Sequence, residues 1–160
     1  MIIVYTPKDG EEQHFDAGPG KLRASEIQII ERTADARWTD IKEAVRLGEI
    51  GALRVVAWAI KKRAEPSLRF SAFDPFEGEL RSRLDAQEVR NYAEYLFERY
   101  REDPDDLAEA FDELRDVAFK REDADTAIAD VTTPKDPAPA PEPPLPIDAY
   151  KELETASVTA

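Results

Sequence analysis

The residues able to do chemistry are few, and they do not converge. His14 is the only histidine among 160 residues, and there is no cysteine. A histidine works as a catalytic base only beside an orienting partner and a group to activate. His14 stands in the short alternating stretch Gln13 to Asp16, where an exposed strand position accounts for it. No serine lies in a Gly-x-Ser-x-Gly elbow. The glycines at 10, 18, 20, 48, 51 and 78 form neither a phosphate loop nor a dinucleotide fingerprint. Asp123-Ala-Asp125 begins like a calcium loop, but Ala127 and Ile128 occupy positions that need an oxygen ligand and a glycine. Asp103, Asp105 and Asp106 read as helix-capping acids, and Lys61-Lys62-Arg63 as cations at a helix C-terminus. No carboxylate pair stands apart as an acid/base couple. Catalysis is the weakest reading, and neither cofactor nor metal is expected.

Charge narrows the field. The chain carries 22 Lys and Arg against 35 Asp and Glu, a net of −13. Binding a nucleic-acid backbone needs a basic face, so nucleic acid is not an expected partner. The same balance repels anionic membranes. No run of about 18 apolar residues is present, and the opening Met-Ile-Ile-Val-Tyr-Thr-Pro lacks the basic-then-apolar form of a secretory signal. A soluble intracellular protein is expected.

The remaining elements are organised around Glu49 to Arg63. Ile50, Leu53, Ala57 and Ile60 line one side of a helix, while Val55, Val56 and Ala59 cover much of the rest. Apolar surface on nearly all sides predicts a central helix that its neighbours must cover. Trp58 reads as a large core anchor, with a partner-binding aromatic as the alternative. Before it, Ile2 to Tyr5 and Gln13 to Asp16 flank Pro7-Lys8-Asp9-Gly10, which predicts a hairpin over residues 1–17. Ser25 and Gln28 predict a capped first helix, and Thr39 a second that ends at Gly48.

Phe70, Phe73 and Phe76 among prolines predict a loop pinned by its rings, with one helical turn at Glu79 to Arg83; a docking surface is the alternative reading. Leu84, Asp85, Glu88 and Val89 combine a hydrophobic staple with a capping box. Asp103-Pro104 opens a further helix with Leu107, Phe111, Leu114 and Ala118 on one face. The short connection predicts that these two helices pack as an antiparallel pair.

The expected fold is therefore mainly α: a small domain of about five helices over residues 1–121, with the hairpin at its N-terminus. Residues 122–160 carry 7 of the 12 prolines and 9 acids against 2 lysines, and read as an acidic, proline-rich, disordered tail. Ile147-Asp-Ala-Tyr150-Lys-Glu-Leu153 at its end has apolar residues three apart. This suits either a solvated terminus or a short helix that folds on a partner.

The order Trp38-Thr-Asp-Ile-Lys-Glu-Ala-Val-Arg-Leu-Gly-Glu, then Ala52-Leu-Arg-Val-Val-Ala-Trp-Ala-Ile-Lys-Lys-Arg, then Glu65-Pro-Ser-Leu resembles the tail assembly chaperones of long-tailed (siphovirus) actinobacteriophages. Phe15-Asp16 closing the strand pair, and Trp58 followed by Lys62 and Arg63, extend the likeness over roughly residues 1–84. The helix pair from Asp85 departs from it. The resemblance implies a non-catalytic protein of the host bacterial cytoplasm, missing from the mature virion. It would bind the helical tape-measure protein and keep it soluble while the tail tube polymerises. It also implies, as a second partner, a longer form of the same chain made by ribosomal frameshifting, and self-association as a homo-oligomer is compatible with it. Trp58, Tyr92, Tyr95 and Tyr100 are the candidate partner-binding residues, on a client surface between the central helix and the 85–121 pair. The rival readings are a minor tail or head-tail joining protein of the virion, and an acidic helical adaptor unrelated to phage.

Overall fold

Seven of the twelve residues in Ile50–Lys61 (α3) are buried: Leu53, Val55, Val56, Ala57, Trp58, Ala59 and Ile60. A computed structural model describes residues 1–133, and in it this helix is the centre of one core. Ala24–Ala34 (α1) and Trp38–Arg46 (α2) pack on it, as does a small sheet. Full burial of one large aliphatic side chain is worth about 1.5–3 kcal/mol, so this run is the strongest local driver of folding.

The strands are Ile2–Tyr5 (β1), Gln13–Asp16 (β2) and Leu80–Arg83 (β3), all antiparallel in the order β2-β1-β3. Ile3 pairs with Phe15 on one side and Ser82 on the other, and Tyr5 pairs with Leu80. Ile3, Tyr5, Phe15 and Leu80 therefore share the face that meets α3. The expected helical turn at Glu79 to Arg83 is instead the third strand. A two-stranded hairpin is marginal alone, and β3 completes its open side.

The second core belongs to Ala86–Tyr100 (α4), Pro104–Val117 (α5) and Arg121–Thr132 (α6). Its buried residues are Val89, Ala93, Leu96, Phe111, Leu114, Ala118, Ala124, Ala127 and Ile128. α4 and α5 pack together, and α6 packs on both. Residues 122–132, expected to open the tail, belong instead to α6, and the described residues hold six helices where about five were expected. Ala124, Ala127, Ile128 and Val131 form a weak stripe that acidic neighbours conceal, while all seven prolines of that region lie at 134 or beyond. Small residues on α4 and α6 let the two helices approach closely. The proline-rich segment and the stretch Ile147 to Leu153 lie outside the described residues.

The helix starts follow tertiary partners as well as local signals. α1 begins one residue before Ser25, capped by Glu26, whose Oε2 accepts the Arg23 N–H at 2.7 Å. Glu26 is the one buried charged side chain among the described residues. It also takes Arg63 Nε at 2.6 Å and Nη2 at 2.8 Å, tying α1 to the end of α3. α2 begins at Trp38, not behind Thr39, because Glu31 of α1 accepts the Trp38 N–H at 2.8 Å. Gly48 after α2 has φ 78°, the left-handed conformation that a C-terminal glycine supplies.

Candidate partner-binding cleft

The candidate site grows from the start of α4. Asp85 Oδ1 accepts the N–H groups of Gln87 and Glu88, each at 3.0 Å, and Glu88 Oε2 accepts the Asp85 N–H at 3.1 Å. This reciprocal cap fixes where α4 begins. The Met1 ammonium pairs with Asp85 and, at 2.7 Å, with Glu88. Burial opposes ionisation of the Asp85 carboxyl, but the ammonium and the two backbone donors outweigh it and hold it below the ordinary carboxylate range.

Leu84 exchanges backbone hydrogen bonds with the end of α5: its N–H donates to Val117 at 3.0 Å, and the Phe119 N–H donates to Leu84 at 2.9 Å. The Arg83 guanidinium donates to the Asp116 carbonyl. These contacts join the two cores along a seam.

Along the seam lies a cleft of about 480 Å³ whose walls include Arg46, Arg83, Leu84, Asn91, Tyr92 and Val117. A neighbouring hollow of about 410 Å³ shares Met1, Arg46 and Glu88 with it and is walled further on by Trp38 and Lys42. Cavities of this size suit a few side chains of a bound segment. Tyr92 and Tyr95 stand one turn apart on α4, 45 % and 49 % exposed, with rings stacked at 5.9 Å and 7° between planes. Arg99 donates to the Tyr95 hydroxyl at 3.1 Å and lies 5.4 Å from the Tyr100 ring centre. Two half-exposed, stacked tyrosines beside a hollow of mixed apolar and charged walls are features a protein-binding surface uses.

No family model, curated protein or solved structure matches this chain.

The four residues singled out in the sequence divide. Tyr92 lines the cleft and Tyr95 extends it. Tyr100 is half-buried against the second core. Trp58 is 7 % exposed and packs edge-on to Phe70 at 5.2 Å. Its indole N–H donates to the Leu68 carbonyl at 3.1 Å, and Lys62 covers its ring. It is a core anchor, and no face of it is offered to a partner. The cleft lies elsewhere than the expected client surface. Its wall opposite α4 is Arg46 of α2 and the β3–α5 seam; no α3 residue lines it. Arg46, Arg83 and Val117 were not legible as site residues, because only the sheet's third strand brings them together. Of the three loop phenylalanines, Phe73 is buried and Phe70 packs on the core, while Phe76 is 73 % exposed.

The other chemical candidates have structural partners. His14 Nε2 contacts Glu12 at 2.7 Å, and its ring meets Phe119 edge-on at 4.7 Å. Thr6 bonds the same Glu12 carboxylate, at 3.1 Å. Lys61 bonds Gln13 and Glu65, Lys62 bonds two loop carbonyls, and Arg63 bonds Glu26 and the Lys21 carbonyl. Asp125 is paired with Arg115 at 2.7 Å. Among the described residues, no group of three His, Asp or Glu side chains is placed to hold a metal ion, and no helix is long and apolar enough to cross a membrane.

Proposed function

We propose that this protein is a tail assembly chaperone of a long-tailed bacteriophage. It would bind the tape-measure protein in the host cytoplasm and hold it soluble until the tail tube forms around it. The observation that carries the reading is the stacked, half-exposed Tyr92–Tyr95 pair beside the seam cleft. A tape-measure protein is long and helical and presents apolar stripes in water until it is enclosed. Aromatic rings of limited conformational freedom cover such stripes at low entropic cost, and a groove beside them takes the apolar side chains of a bound helix. The net charge of −13 supports the same role. Several copies on one client repel each other and keep the complexes dispersed.

The test is co-expression with the tape-measure reading frame from the same genome. Soluble client that co-purifies with the wild-type chain is expected, together with absence of the chain from purified virions by mass spectrometry. Presence in virions at a fixed copy number would instead identify a structural tail protein. Insoluble client with and without the chain would remove the chaperone role.

A further inference from the structure

We propose that the seam cleft is also the docking site of this chain's own C-terminal segment, Ile147 to Leu153, which holds it until a client displaces it. Three observations support this. First, the cleft has a composition opposite to most of this acidic surface. Leu84, Tyr92 and Val117 supply apolar walls, with Val117 42 % and Tyr92 45 % exposed. Arg46 and Arg83 supply positive charge: the nearest carboxylate to Arg46 is Glu43 at 3.9 Å, and Arg83 is bonded to a neutral carbonyl. The Glu88 carboxylate at the cleft's edge is already paired with the Met1 ammonium.

Second, the segment is complementary. Ile147, Tyr150 and Leu153 fall on one stripe at helical spacing. Asp148, Glu152 and Glu154 against Lys151 give residues 147–154 a net of −2. The segment's three apolar side chains match the apolar walls of the cleft, and its acids match Arg46 and Arg83.

Third, the reach is sufficient. Thr133, the last described residue, lines a groove with Arg90 and Glu94 of α4, whereas the adjacent Asn91 and Tyr92 line the cleft. The segment has only to pass round one helix, about 10–12 Å across. Residues 134–146 hold seven prolines in thirteen positions, and thirteen residues of extended polyproline span ~40 Å. Tethering on a linker that can reach the cleft helps to seat a segment that would bind only weakly from solution. The α4–α6 groove is a poorer seat, because Glu94, Glu98 and Asp130 line it and repel an acidic segment.

The experiment uses the full chain. With no native cysteine, Ser157→Cys carries a single nitroxide label, read by paramagnetic broadening of the backbone amides. Loss of signal is expected at Leu84, Asn91 and Tyr92, unchanged on dilution, and Tyr150→Asp should restore it. Broadening confined to residues after 133, or centred on the α4–α6 groove, overturns the proposal. So does broadening at the cleft that fades on dilution, which would assign the cleft to the segment of a second copy. No client is present in this measurement, so its failure leaves the chaperone reading standing, and a failure of client capture leaves the docking result intact.

Discussion

The two cores of this protein use opposite means. Around α3 the large side chains point inward: Leu53, Val55, Val56, Trp58, Ile3, Phe15 and Phe73 are all buried. Around α4 four of the nine buried residues are alanines, Ala93, Ala118, Ala124 and Ala127, beside Val89, Leu96, Phe111, Leu114 and Ile128, and two of the α4 tyrosines are turned out. The polar groups follow suit. In the first core, Trp58, Glu26 and Arg54 are all bound to backbone carbonyls or amides, whereas the Tyr92–Tyr95 stack rests on exposed helix surface. An interior that holds its large rings is specified for stability. A helix that turns its rings out has surface left to cover. The proposed binding role is therefore placed on α4 and the seam beside it, although α3 has the stronger sequence signal.

Substitutions should separate the two cores. Leu53→Ala removes a fully buried side chain from the core around α3 and should cost about 2–5 kcal/mol, read as a fall in the denaturation midpoint. Ala124→Leu should cost about 1–3 kcal/mol by forcing α6 off α4. If it is neutral, close approach is not what holds the second core. Asp85→Ala removes the α4 cap and the acceptor for Met1, and should cost about 1–2 kcal/mol. Hydrogen exchange should then accelerate at the Leu84 and Phe119 amides before it does so within α3.

The smallest stability effect is one of pH. The Arg63 guanidinium holds the Glu26 carboxyl below its ordinary value of 4.5, against the cost of burial. The stabilisation is present above that value and is lost as pH falls through the lowered folded value. The melting temperature should be flat from neutrality to about pH 5 and then decline. Glu26→Gln should show a lower plateau and a shallower acid slope, and an unchanged slope would mean that other carboxylates control the acid limb.

Much of this fold can be read directly from residues. The all-round apolar run at 50–61, the Asp85–Glu88 box, the Asp103-Pro104 start and Gly48 each act over a few neighbours, and each stands where its local signal puts it. What escaped depends on distant partners. Leu80 to Arg83 has no strong strand pattern and becomes a strand because β1 offers an open edge. Arg121 to Thr132 becomes a helix because α4 and α5 leave a slot suited to alanine. Glu31 overrides Thr39 by reaching Trp38 across the turn, whereas Glu26 displaces the Ser25 start by a local bond to the Arg23 N–H three residues back. The site was half legible for the same reason: α4's tyrosines announce themselves at helical spacing, but Arg46 and Arg83 join them only through the folded seam.

The most direct test of the account is Tyr95→Asp in the full chain, co-expressed with the tape-measure protein. Tyr95 is about half exposed and lies outside both cores, so the melting temperature should stay within the equivalent of about 0.5 kcal/mol. Over the same comparison, recovery of soluble client should fall several-fold. Full client recovery by the variant would contradict the assignment of binding to the outward face of α4.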